Sequence, residues 1–131
     1  MIVLDTHVLV WWVNGDESLS KNAKAAIARE LDGGQIIISA ISAWEIAMLV
    51  EREKLVLSMD VGSWLATVAE IEAVRFLPLD VEIAIKSVDL PGEFHKDPAD
   101  RMIVATARKL AVPLVTKDEK IHAYEHVKKI W

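Results

Sequence analysis

The chain contains no cysteine. That excludes a disulfide framework and any thiolate metal site. No apolar run approaches the roughly 20 residues of a membrane-spanning helix. The opening Met1-Ile2-Val3-Leu4-Asp5 reaches a carboxylate too early for the apolar core of a signal peptide. The expectation is a soluble, cytoplasmic protein with no membrane partner. Glycine is sparse, and nowhere does it form a Gly-rich phosphate loop. No GxSxG is present, so serine-hydrolase chemistry has no support. The histidines His7, His95, His122 and His126 lack HExxH-type spacing, which leaves no zinc site to assign. Internal repeats, linkers and low-complexity tracts are all missing.

Positive charge is also in short supply, with a net charge of −5 and a pI of about 5.3. This argues against a protein that coats nucleic acid by bulk electrostatics. It leaves a nuclease open, because a tight acid cluster inflates the negative count and a few placed cations can serve the phosphates. The 131 residues, 53% hydrophobic and 27% charged, suit one globular domain spanning residues 1–131. A chain of this size buries roughly two-thirds of the surface its unfolded state exposes.

Hydrophobic patterning alternates between short β-branched runs and amphipathic stretches. Strands are expected at Ile2-Val3-Leu4, Ile36-Ile37-Ile38, Val74 to Leu79, Pro113-Leu114-Val115 and Val127 to Ile130. Pro78 should end the third strand or place it at an edge. Helices are expected over His7–Val13, Ser20–Leu31, Ser42 to about Lys54, Asp60–Glu72, Asp80–Val88, Pro98–Leu110 and Glu119–Tyr124. This alternation implies a three-layer α/β/α fold around a mostly parallel sheet. Ligands of such sheets bind outside the carboxyl ends of the strands.

Four acids, Asp5, Glu45, Asp100 and Asp118, close an apolar run or open the amphipathic segment after one. Brought to one sheet edge they would repel one another unless a divalent cation sat among them. Each also has a plainer explanation. Asp5 suits a turn or a helix N-cap. Ser42-Ala43-Trp44-Glu45 reads as a capping box, although Ile46 and Leu49 set Glu45 beside a buried face. Thr116 can cap a helix with Glu119 at its third position, leaving Asp118 as a first-turn charge. In Asp97-Pro98-Ala99-Asp100, Pro98 fits the first helical position and Asp97 the N-cap. Asp100 then shares a stripe with Ile103, Val104 and Ala107, which should face the core. A carboxylate buried there without a partner costs several kcal/mol. Hard oxygen ligands point to Mg²⁺ or Mn²⁺, and such a site suits hydrolysis of phosphate esters.

The tryptophans Trp11, Trp12, Trp44, Trp64 and Trp131 read more readily as core or interface anchors than as base-stacking platforms. Trp11 and Trp12 are adjacent, so one of them should meet a partner. Arg52, Lys54, Arg101 and Lys117 are the cations nearest the acids in sequence and the candidate contacts to substrate phosphates, against a plainer role as solvated charge or, for Arg101, as an ion-pair residue.

Asp5-Thr6-His7-Val8-Leu9-Val10-Trp11-Trp12 resembles the opening of PIN-domain proteins, specifically VapC-type toxins of toxin–antitoxin pairs. Ser42-Ala43-Trp44-Glu45-Ile46 resembles the second acidic motif of that family. The stretch from His95 through Asp97-Pro98-Ala99-Asp100 to Ala107 resembles the third, with Ala99 where an aromatic is common. Thr116-Lys117-Asp118 resembles the last. The resemblance implies a Mg²⁺- or Mn²⁺-dependent endoribonuclease that is silenced by a cognate antitoxin and forms a homodimer. Carried over by position, it implies that Asp5, Glu45, Asp100 and Asp118 hold the metal and activate water. Asp97 is a further candidate ligand, and Thr6 and Thr116 are supporting hydrogen-bonding groups. Two other readings stand beside it. One is an acceptor-aspartate phosphotransfer domain using Asp5, and the other is a non-catalytic binding module whose acids are only helix caps.

Overall fold

The computed structural model describes residues 1–131. In chain order the elements are β1 (Ile2–Leu4), α1 (Thr6–Asn14), α2 (Lys21–Leu31), β2 (Ile36–Ser39), α3 (Ala40–Glu51), α4 (Val61–Ala69), β3 (Val74–Leu77), α5 (Val81–Val88), α6 (Pro98–Leu110), β4 (Leu114–Val115), α7 (Glu119–His122) and β5 (Lys129–Ile130). The five strands form one sheet in the order β3-β2-β1-β4-β5, and every pairing is parallel. Pro78 lies just past the end of edge strand β3, where a missing N–H breaks no ladder bond.

Strand side chains alternate between two cores. Ile2, Leu4, Ile36, Ile38 and Val115 join Ile27, Ile46 and Trp64 on one face of the sheet. Val3, Ile37 and Leu114 join Ile83, Ile103, Val104 and Ile121 on the other. The sheet is thus sandwiched, with α1 to α4 on one side and α5 to α7 on the other. This is the three-layer arrangement that the sequence implies. Burying each large aliphatic side chain contributes about 1.5–3 kcal/mol.

Several caps follow the sequence. Gly15 adopts the left-handed conformation (φ 66°) that ends α1, Ser20 accepts from Ala23 N, and Asp97 accepts from Asp100 N with Pro98 next in line. Two do not. Helix α3 begins at Ala40, capped by Ser39, so the expected Ser42–Glu45 capping box does not form. The chain passes from β2 into α3 without a loop, which carries Ser42 one turn inside the helix and buries it. Asp118, not Thr116, caps α7 by accepting from Lys120 N, while the Thr116 hydroxyl accepts from Asp118 N and donates to Asp5. The two adjacent tryptophans also differ from expectation. Trp11 and Trp12 both lean, half-buried, on the same core cluster.

Strand order reverses at β1: β2 and β3 extend to one side of it, β4 and β5 to the other. The crevice beyond the carboxyl ends of β1 and β4 is therefore the topological switch point.

Replacing Ile103, which is fully buried, with Ala should cost about 2–5 kcal/mol. The same change at Ile85, which is exposed on α5, should stay within about 0.5 kcal/mol. Urea denaturation of both variants checks the assigned faces.

Candidate functional site

Four elements deliver acids to the switch point. Asp5 directly follows β1. Glu45 comes from the second turn of α3, which continues straight out of β2. Asp100 stands in the first turn of α6, and Asp118 caps the helix after β4. All four line one cleft, together with Thr6, His7, Trp11 and Lys54.

Two threonines tie the acids together. Asp5 is only 3% exposed. Its Oδ1 accepts from Thr6 N at 2.8 Å and its Oδ2 from Thr116 Oγ1 at 2.7 Å. Thr116 Oγ1 in turn accepts from Asp118 N at 3.0 Å. Thr6 Oγ1 donates to Glu45 Oε1 at 2.6 Å. Its one proton is then spent, so Ser42 Oγ, 2.9 Å away, is the donor to Thr6. Ser42 therefore supports the Glu45 carboxylate through Thr6 instead of capping α3. Lys117 N donates to His7 Nε2 at 3.0 Å, which puts the His7 ring proton on Nδ1, facing Asp5 Oδ2 at 3.6 Å.

Asp100 sits on the stripe of Ile103, Val104 and Ala107, all fully buried. Desolvation pushes its pKa up to about 8 from 3.8, and the charges of Asp5, Asp97, Asp118 and Glu45 add to the rise. Glu45 is also raised, chiefly by burial. Its Thr6 hydrogen bond opposes that, and the charges of Asp5 and Asp97 reinforce it. Asp100 Oδ2 lies 2.9 Å from His95 Nε2, a buried nitrogen that completes no hydrogen bond.

The donor set is all oxygen, as a hard divalent cation prefers. In the positions observed, no three acidic or histidine side chains are arranged to hold one ion. Local bonds hold three of them in place: Asp5 and Glu45 by the threonines and Asp118 by Lys120 N. The site thus fits a cation in chemistry and in place, although no three of its side chains are set around a single point.

Asp97 lies outside this cleft. It caps α6 and lines a neighbouring groove with Trp44 and Arg52. Lys117 Nζ stands 5.7 Å from the centroid of the Trp11 ring at the cleft's rim. Arg101 departs from its expectation in sequence. It makes no ion pair with Asp100, and its guanidinium donates to the carbonyls of Ser87, Val88, Phe94 and His95. These bonds fasten the end of α5 and the loop that carries His95 to the first turns of α6. Reading along the chain overlooks Ser42, His7 and His95 as site residues. Each carries the same signal, its place inside an acidic motif: His7 in the first, Ser42 in the second and His95 in the third.

The family model for the PIN domain matches residues 2–127. The chain belongs to the PIN-domain family. It is 38% identical over 125 residues to Ribonuclease VapC22 of Mycobacterium tuberculosis, covering 95% of this chain and 92% of that protein. Among solved structures, its fold is similar to a chain of VapBC2 from Rickettsia felis bound to a promoter DNA fragment. The TM-score there is 0.70 at 14% identity, over 98% of this chain and 97% of that one. It is likewise similar to a chain of a toxin–antitoxin complex from Klebsiella pneumoniae, with a TM-score of 0.66 at 21% identity, over 97% and 95% of the two chains. At such identities these two likenesses speak to the fold alone. PIN-domain membership agrees with the motif resemblance read from the sequence.

Between about pH 4 and 8 the folded protein keeps a proton on Asp100 that the unfolded chain releases. Asp100 therefore costs stability increasingly as pH rises through that window. Thermal denaturation of metal-free Asp100→Asn should show a higher Tm than the parent at pH 8 and little difference near pH 4. A gain of the same size at both pH values would contradict the assignment. Arg101→Ala strands four carbonyls and should cost about 2–4 kcal/mol in chemical denaturation. Hydrogen exchange should quicken in residues 92–97, where those bonds hold the chain.

Proposed function

We propose that the chain is a divalent-metal-dependent endoribonuclease, the toxin of a toxin–antitoxin pair. The observation that carries this is the convergence of Asp5, Glu45, Asp100 and Asp118 from four separate elements into one cleft. The 38% identity to a protein named a ribonuclease supports the reaction class, and the toxin–antitoxin complexes among similar folds support the biological setting. A cognate antitoxin and a homodimeric state belong to the same proposal.

In this reading Asp5, Glu45, Asp100 and Asp118 hold Mg²⁺ or Mn²⁺. The bound cation supplies Lewis acidity at the phosphate and makes hydroxide accessible near neutral pH. The residues of the chain do the rest. Thr6 and Thr116 fix the faces that Asp5 and Glu45 present. Asp97 organises the first turn of α6 as its cap. Glu45 has one oxygen held by Thr6 and a raised pKa, so its Oε2 is placed to take the proton of the attacking water. Without a cation Asp100 holds a proton instead, which relieves the crowding. Lys54 in the cleft, and Lys117 at its rim, offset the phosphate charge.

The acceptor-aspartate reading is disfavoured because both oxygens of Asp5 are engaged and the residue is buried. A module whose acids are only caps is disfavoured because Glu45 and Asp100 cap nothing.

RNA cleavage should require Mg²⁺ or Mn²⁺ and stop in excess chelator. Asp5→Asn or Asp100→Asn should lower kcat by at least about 100-fold, the scale of losing one electrostatic stabiliser. Undiminished cleavage in chelator would overturn the proposal.

A further inference from the structure

Resting on the nuclease reading, we infer that Trp44 forms a subsite where an unpaired base of the RNA stacks, one step along from the scissile phosphate. Trp44 immediately precedes Glu45 on α3, yet it is 55% exposed. It belongs to neither core cluster and pairs with no other aromatic ring. By contrast Trp64 is buried, and Trp11, Trp12 and Trp131 lean on the core. Leaving an indole in water forgoes one of the largest apolar burials a side chain can offer.

The groove around Trp44 adjoins the carboxylate cleft, and Glu45, Leu49 and Lys54 line both. Trp44 and Met48 follow one another at i and i+4 on α3 and Arg52 caps its end, so one side of the groove offers a flat ring and then a cation. Neither Arg52 nor Lys54 takes part in an ion pair, which leaves both free for phosphate. An exposed ring with cations along its track is the arrangement that receives single-stranded nucleic acid. A base inside a duplex cannot offer its face in this way, so the subsite selects an unpaired nucleotide. Every base has a π-face, so the subsite discriminates by strandedness more than by sequence.

The test measures binding without turnover. In the Asp100→Asn background, the affinity for a short mixed-sequence oligoribonucleotide is read by fluorescence anisotropy. Adding Trp44→Ala should weaken single-strand binding roughly tenfold, the scale of one lost base stack, while Trp44→Phe should stay within about threefold. Binding of a duplex of the same sequence should not change. In the active enzyme Trp44→Ala should raise KM and leave kcat nearly unaltered. Equal single-strand affinity of Trp44→Ala and its parent would overturn the inference and assign the ring to a protein contact, with the nuclease reading intact. Failure of the Asp100→Asn parent to bind RNA, together with no cleavage by the unmodified protein, would remove both.

Discussion

Crowded negative charge at the carboxyl edge of a parallel sheet is the constraint around which this molecule is organised. Asp5, Glu45, Asp97 and Asp118 all bear on Asp100 there, and Asp5 and Asp97 bear on Glu45. Carboxylates partly removed from water and set side by side raise each other's affinity for protons or for a cation. Asp100 is the most affected: burial first, and the neighbouring charges after it, raise its pKa to about 8. The fold tolerates it because Asp5, the most buried member, has both oxygens hydrogen-bonded. A buried charge is sustainable when its lone pairs are met and very costly when they are not.

The supporting parts follow from this. Thr6 and Thr116 sit at the exits of adjacent strands, and each joins two acids, Thr6 joining Asp5 to Glu45 and Thr116 joining Asp5 to Asp118. Direct passage from β2 into α3 sets Ser42 under Thr6 and turns Glu45 inward. Across the sheet Arg101 spends its donors on four carbonyls and so braces the loop bearing His95 and Asp97. A cation adjacent to an acid in sequence thus serves the acid's frame and not its charge.

Much of the architecture was legible because hydrophobic period and punctuation agreed. Ile36-Ile37-Ile38 could only be a doubly buried strand, and Pro98 with Asp97 set the start of α6 to the residue. Asp100 was legible for a related reason, since its spacing from Ile103, Val104 and Ala107 put a carboxylate on an apolar stripe. Caps were less secure. Ser39 and Ser42 both have the chemistry of an N-cap, and sequence prefers the one with Glu three residues on. The structure uses the other, because the strand runs directly into the helix. Thr116 gave way to Asp118 because α7 begins only at Glu119, and the Thr116 hydroxyl turned instead to Asp5, 111 positions away.

By itself the sequence determined the alternation of strands and helices, the sandwiched sheet and the positions of the acids, all of which rest on short-range periodicity and local chemistry. Motif order was enough to suggest the family that the whole-chain match then established. Only the tertiary structure decided which acids share a cleft, which one is pushed furthest toward protonation, and which cations are free. Asp97 was set apart from the cleft, Arg101 was enlisted as a brace, and Trp44 was left uncovered. Each of these depends on distances between residues far apart in the chain, and hydrogen-bond partners and desolvation exist only once the sheet has closed.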